Sequence, residues 1–241
     1  MNDSPETQPI GRGDFVRRAS AAAVAATAAA AAAPAPGMAA SPPVRPGMDG
    51  AQALQALLDG NTRYAQGRPI CGPLTARRAE LVSGQSPFAL VLGCSDSRVP
   101  IETIFDQEPG SIFVVRVAGN TADAIGIGSL EYAITNFKSP VLLVLGHASC
   151  GAVHAGVAFV QGGPAAPGHI QDVVAAVVPA VKEAEGRPGD WADNAAMQNV
   201  KDTLAGIVAA SKIASDAIAS GALAVHGGFY DLSSGKVTVL S

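Results

Sequence analysis

Cysteine is scarce in this sequence: Cys71, Cys94 and Cys150 are the only ones among 241 residues. That is too few for a disulfide scaffold, and the odd count leaves at least one thiol unpaired. Excess basic charge is also missing. Lys and Arg total 16 against 20 Asp and Glu, a formal net charge of −4, so no nucleic acid and no anionic membrane surface is expected as a partner. Setting aside residues 1–40 removes Arg12, Arg17 and Arg18 together with Asp3, Glu6 and Asp14, and the balance is unchanged. There is no internal repeat. No apolar run reaches the roughly 20 residues that span a bilayer, so no stable membrane association is expected. What is present is a hydrophobic fraction of 48%, enough for a sizeable core, in a chain suited to one α/β domain with extensions.

Residues 1–40 do not read as folded domain. A polar start carries Arg12, Arg17 and Arg18, and Ala19 to Ala33 is almost pure alanine. Pro34, Pro36 and Gly37 break that run, and Ala39-Ala40-Ser41 follow. A charged region, a weakly apolar stretch and a small-residue cleavage zone, in that order, read as an export signal, with a mature start near Ser41 and a periplasmic or otherwise exported product. Asp14-Phe15 after a basic residue resembles a twin-arginine leader. The slot before it holds Arg12-Gly13 rather than two arginines, and Arg17-Arg18 supplies a pair without the usual residues after it. Such a leader implies export of a folded chain. Without a functional leader the protein would stay in the cytoplasm. Residues 41–50, rich in Pro and Gly, read as a linker, and 51–241 as the domain.

Within the domain, Leu54, Leu57 and Leu58 have the spacing of one buried helical face in Ala51–Tyr64. Phe88–Gly93, Ile112–Val117 and Val141–Gly146 are short continuous apolar runs, as in strands buried on both faces. Ala122–Phe137, Gly151–Val160 and Asp172–Glu185 read as helices, and Asn194–Ala219 as the longest helical stretch. Ala222–Tyr230 and Val237–Leu240 read as closing strands joined by Asp231-Leu232-Ser233-Ser234-Gly235. Strands alternating with helices predict an α/β fold with a mainly parallel central sheet flanked by helices. In such sheets ligands bind beyond the carboxyl ends of the strands.

Two motifs fall at those ends. Cys94-Ser95-Asp96-Ser97-Arg98 follows the first strand, and His147-Ala148-Ser149-Cys150-Gly151 follows the third. Adjacent strand ends can bring Cys94, His147 and Cys150 to one point. Two thiolates and one imidazole suit Zn²⁺, and three protein ligands with a fourth position open mark a catalytic rather than a structural ion. Cys71, His154, His169 and His226 lie outside the motifs and read as structural or solvated. Cys94 and Cys150 taken singly also read as small buried hydrophobes, or as a disulfide in an exported protein. Asp96 beside a thiolate ligand needs compensation, which Arg98 can give through a bidentate guanidinium contact. In isolation the pair is an ordinary loop salt bridge. Beside a metal it becomes a dyad able to orient a metal-bound hydroxide.

Together these residues resemble the β-class carbonic anhydrases. The likeness runs from about Ala51 to the C-terminus. It rests on Cys-x-Asp-x-Arg followed about fifty residues later by His-x-x-Cys, with support from Gly60-Asn61, Gln85-Ser86-Pro87, Phe113-Val114-Val115-Arg116, Ala118-Gly119-Asn120, Glu131-Tyr132-Ala133 and Tyr230-Asp231-Leu232 with Gly235. The resemblance implies one Zn²⁺ per chain on Cys94, His147 and Cys150, with Asp96 and Arg98 as catalytic dyad. It implies Gln85 as hydrogen-bond donor to substrate oxygen, and Phe113 and Tyr132 on the wall of a small apolar pocket at a dimer interface. By themselves, Gln85 is a loop amide and Phe113 and Tyr132 are core candidates. The implied assembly is a homodimer or higher even oligomer.

The implied reaction is reversible hydration of CO2 to bicarbonate and a proton, with zinc hydroxide as nucleophile and bicarbonate displaced by water. Some members of the family adopt a closed state in which the residue matching Asp96 becomes a fourth ligand and releases its arginine. Those members often carry Trp three residues before the first zinc cysteine. Val91 stands there in this chain, so an open site is expected. Two other readings are carried alongside: a zinc-binding scaffold of the same fold without turnover, and a hydrolase of the same fold acting on CS2.

Overall fold

The computed structural model describes residues 47–72 and 78–241. The expected export signal, residues 1–40, and the first six residues of the expected linker lie outside the described residues. Helix α1, Gly50–Ala65, opens on a capping box in which Asp49 accepts from the Gln52 backbone N–H and the Gln52 side chain accepts in return. This reciprocal pairing satisfies two amides that a helix start leaves orphaned. A single turn, α2 (Arg78–Leu81), precedes strand β1, Ala89–Gly93. Another short turn, α3 (Ile101–Ile104), leads to β2, Ile112–Arg116. A 3₁₀ turn at Ala118–Asn120 then passes to α4, Ala124–Phe137, capped by Asp123, and to β3, Val141–His147. Helices α5 (Gly151–Val160), α6 (Ile170–Glu183), α7 (Trp191–Ala210) and α8 (Lys212–Ala219) follow, and β4 (Ala224–Tyr230) and β5 (Val237–Leu240) close the chain.

The strands form one sheet in the order β2-β1-β3-β4-β5, parallel except for the β4–β5 hairpin. Every residue of β1 and β3 is buried, because helices cover both faces. Along β1 the side chains alternate, as the strand period of two demands. Ala89 and Val91 pack with Ala53 and Leu57 of α1 and with Ile101 and Ile104. Leu90 and Leu92 pack with Leu130 and Phe137 of α4 and with Val200 and Ile207 of α7. Burying each such side chain fully is worth about 1.5–3 kcal/mol, which is why these strands read as unbroken apolar runs. No helix among the described residues is long and apolar enough to cross a membrane.

The expected long helix over Asn194–Ala219 is two helices. Ser211 breaks it with φ −110° and ψ 107°. Its buried hydroxyl donates to Glu131 Oε1 at 2.7 Å and accepts the Ala214 N–H at 3.0 Å. A serine that caps a new helix and satisfies a neighbour's carboxylate competes with helix continuation, and periodicity does not reveal it. The two turns α2 and α3 were not expected either, being too short to carry a periodic signal.

The Gly60-Asn61 pair ties α1 to the rest. Asn61 Nδ2 donates to the carbonyls of Ile104 (3.2 Å) and Gly235 (2.8 Å), and its Oδ1 accepts the Val237 N–H at 2.8 Å. Gly60 lets the helix approach this closely, since a Cβ there would stand 1.8 Å from the Phe105 carbonyl oxygen. Gly60→Ala is therefore expected to lower stability by roughly 3 kcal/mol or more, through forced displacement of backbone. Gly206→Ala on α7, where a Cβ meets nothing within 4 Å, should instead gain about 0.5–1 kcal/mol from helix propensity. Denaturant midpoints of the two variants check both signs; a Gly60→Ala midpoint equal to wild type would refute the close-approach argument.

Candidate metal centre

The site stands where β1 and β3 end side by side, with Gly93 in register with Leu145. Cys94 follows the last residue of β1, His147 ends β3, and Cys150 is the N-cap of α5. Their side chains converge: Sγ of Cys94, a ring nitrogen of His147 and Sγ of Cys150 all lie within 4.8 Å of one another. All three residues are buried, His147 completely. Tetrahedral zinc needs donors about 2.3 Å (S) and about 2.0 Å (N) from a common centre, and this grouping accommodates that.

The imidazole adds a more specific observation. His147 Nδ1 lies 2.9 Å from the Ala148 carbonyl oxygen. A carbonyl only accepts, so Nδ1 carries the proton and Nε2 presents its lone pair. Nε2 is buried and has no hydrogen-bond partner. A buried ring nitrogen left without a partner, in a residue that converges with two sulfurs, fits a metal ligand, so the donor set suits Zn²⁺ in number and type.

The thiols shape each other. Cys94 is pushed down to about 4, chiefly by the hydrogen bond from Cys150, with burial opposing and the Gly119 N–H assisting. Cys150 is pushed up because its thiol is the donor to that neighbouring thiolate. Gly119 contributes from the 3₁₀ turn, its N–H 3.3 Å from Cys94 Sγ at φ +71°. A Cβ at this position would also press within 3.1 Å of Ala152 and Val177.

Asp96 and Arg98 form the bidentate contact that the sequence suggested. Arg98 Nε donates to Asp96 Oδ1 at 2.9 Å and Nη2 to Oδ2 at 2.7 Å, and the Arg98 backbone N–H adds a third bond to Oδ1 at 2.9 Å. Arg98 holds the Asp96 carboxyl down to about 2 through these hydrogen bonds, against the opposing effect of burial. Arg98 Nη2 also reaches the Ser149 carbonyl at 3.2 Å, which joins the two motifs directly.

Three contacts here, from two residues, have no signature in the sequence. Arg116, at the end of the second apolar run, donates from Nε to the Cys94 carbonyl at 2.9 Å and from Nη2 to the Asp96 carbonyl at 2.5 Å. It props the turn between ligand and dyad. Asp193, near the start of α7, accepts the Ser149 N–H at 3.0 Å.

Gln85, Phe113 and Tyr132 are not at this chain's cluster. Gln85 precedes β1, whereas Cys94 follows it. Phe113 pairs with Leu90, which at strand rise lies about 13 Å before Cys94. Phe113 stacks with Tyr132 and Phe137 at centroid distances of 6.3 and 5.6 Å. Tyr132 is nevertheless 45% exposed, and Ile125 on the same helix is 79% exposed. His154 is exposed on α5, His169 pairs with Asp172 on the surface, and His226 sits in β4. Cys71 lines a separate cavity of about 340 Å³ with Arg63 and Asp106. Its thiol is pushed up to about 11 by burial and by Asp106.

The carbonic anhydrase family profile matches residues 89–237, which include every residue of this cluster. The chain belongs to the β-class carbonic anhydrases. It is 40% identical over 195 residues to carbonic anhydrase 2 of Mycobacterium tuberculosis, covering 80% of this chain and 94% of that protein. A carbonic anhydrase of Mycolicibacterium smegmatis is 38% identical over 197 residues, covering 81% and 96%. Among solved structures, the Coccomyxa β-carbonic anhydrase in complex with acetazolamide superposes with TM-score 0.62 at 30% identity, covering 78% of this chain and 86% of that one. One of two tetrameric β-carbonic anhydrases of Sordaria macrospora gives 0.61 at 26%, covering 78% and 96%. As a carbonic anhydrase, the chain keeps its ligand-type residues at the carboxyl edge of a mostly parallel sheet, where the strand pattern anticipated them.

Proposed function

We propose that this carbonic anhydrase hydrates CO2 to bicarbonate and a proton with one Zn²⁺ per chain, held by Cys94, His147 and Cys150. The observation that carries the proposal is the convergence of the Cys94 and Cys150 sulfurs and a His147 ring nitrogen within 4.8 Å of one another, with the buried Nε2 left without a hydrogen-bond partner, beside the Asp96–Arg98 pair that reaches the second motif through the Ser149 carbonyl. Zn²⁺ in such a donor set acidifies water to near neutral pH and so supplies the nucleophile. Asp96, kept ionised by Arg98, accepts a hydrogen bond from that nucleophile and turns its lone pair to the substrate carbon. Asp96 is committed to Arg98, and Val91 stands where members with a closed site often carry Trp; both favour an open arrangement, with Asp96 outside the ligand set.

CO2 is small and nonpolar, so it needs an apolar wall and a single donor. Gln85, Phe113 and Tyr132 supply these to the site of a second copy in a homodimer or larger even oligomer. Their distance from their own chain's cluster and the exposed Tyr132 and Ile125 support that sharing. Residues 1–40 direct export, and folding before export would carry Cys94 and Cys150 across as metal thiolates rather than as thiols open to wrong pairing.

The test is zinc analysis and stopped-flow CO2 hydration on the purified protein. About one zinc per chain is expected, with activity abolished by a strong chelator and restored by Zn²⁺. Zinc without hydration would leave a scaffold, and turnover of CS2 in place of CO2 would move the protein to the related hydrolase reaction.

A further inference from the structure

We infer that Asp193, outside both motifs, is a positioning residue for the Asp96–Arg98 dyad and acts through the backbone of Ser149; this rests on the catalytic reading above. Ser149 lies between the ligands His147 and Cys150 and has φ +54°, a left-handed conformation that a non-glycine residue adopts only where its surroundings impose it. Both polar groups of its backbone are used. Its N–H donates to Asp193 Oδ1 at 3.0 Å, and its carbonyl accepts Arg98 Nη2 at 3.2 Å. Arg98 in turn grips both oxygens of Asp96. A relay therefore runs from helix α7 through one strained peptide segment to the carboxylate that aims the nucleophile.

The geometry gives Asp193 a firm base. Its own backbone N–H donates to the cap residue Asp190 at 2.9 Å, and α7 packs its buried Ala192, Ala195 and Ala196 against the cluster that contains Cys94 and Cys150. When the Asp193 acceptor is lost, nothing on that side holds the Ser149 N–H, and the residue is free to relax to negative φ. Its carbonyl then swings from Arg98, and the guanidinium loses the contact that fixes its plane against Asp96. The metal ligands themselves are untouched, since none bonds to Asp193.

Three variants separate position from charge. Asp193→Ala removes the acceptor. Asp193→Asn keeps an acceptor oxygen in place without charge. Asp193→Glu keeps the charge and moves the oxygen by one methylene. Expected are a fall in kcat/KM of roughly 10-fold or more for Ala, as for loss of an outer-shell partner at other metal sites, and Asn within about threefold of wild type. Glu should fall below Asn, with zinc content equal in all. The crystal structure of the Ala variant should show Ser149 out of positive φ and Arg98 detached from its carbonyl. The inference is overturned by full activity in Ala, by Glu outperforming Asn, by zinc lost in proportion to activity, or by an unmoved Ser149. If Ala does not fold, the order of Asn and Glu decides. Should wild type lack CO2 hydration, the functional reading fails, and the conformation of Ser149 in the variant still judges the inference.

Discussion

His147→Ala should lose metal and activity together, with zinc occupancy and hydration rate both falling below the range of measurement in chelator-washed protein. Removing an outer-shell partner commonly costs about 10–100-fold in metal affinity, and removing a direct ligand costs more. Here the loss is compounded. The side chain is completely buried, so no solvent-exposed group stands ready to replace Nε2. His154, His169 and His226 lie elsewhere in the fold. Two sulfurs alone would then remain as donors. The fold should survive at reduced stability, because the sheet and its two apolar clusters do not involve the imidazole. Circular dichroism separates metal loss from unfolding. A folded variant that retains one zinc per chain would exclude His147 from the ligand set.

Asp96→Asn should keep zinc and lower turnover by roughly 10²–10³-fold, the range for loss of one preorganised hydrogen-bonding group in an active site. Asn has the shape of Asp but presents an NH2 on one side. The bidentate grip of Arg98 becomes a single bond, and the amide no longer offers an anionic acceptor to the nucleophile. The wild-type carboxyl sits near 2, so it is ionised throughout the neutral and alkaline range, and the acid limb of a wild-type pH profile does not report Asp96. The variant should be slow across the whole profile rather than shifted along it. Near-normal turnover at alkaline pH would reject the dyad. For stability the sign is the usual one for a depressed carboxyl. The contribution is present above the ordinary value of 3.8 and is lost as pH falls from there towards about 2. It is small, since Arg98 is half exposed and solvent screens the pair.

Much of this was legible in the sequence where chemistry and periodicity coincide. The runs at β1 and β3 are apolar because both faces are covered, and the turns after them carry residue types that few other functions require. Ser211 was not legible, because a cap in the middle of a periodic stretch is chosen by a distant carboxylate, Glu131. Arg116 and Asp193 were not legible for the same reason. Each serves the site through backbone groups, and a backbone carbonyl or amide has no signature in sequence. Gln85, Phe113 and Tyr132 acquired roles only from family resemblance. The single chain places them away from its own metal centre, so residue chemistry could not have joined them to it.

The placement of the three candidate ligands also has a topological consequence. Cys94 and Cys150 leave neighbouring strands but are separated along the chain by α3, β2, the 3₁₀ turn, α4 and β3. A metal ion that spans them is a cross-link. Closing a loop of that length with a covalent tie removes chain entropy from the unfolded ensemble worth about 4 kcal/mol. A metal that stays with the folded chain and is released on unfolding acts through binding linkage instead, so its effect grows with free zinc concentration. Bound zinc would thereby add to the stability of the strand pair that presents the chemistry, on top of the apolar core that already holds it.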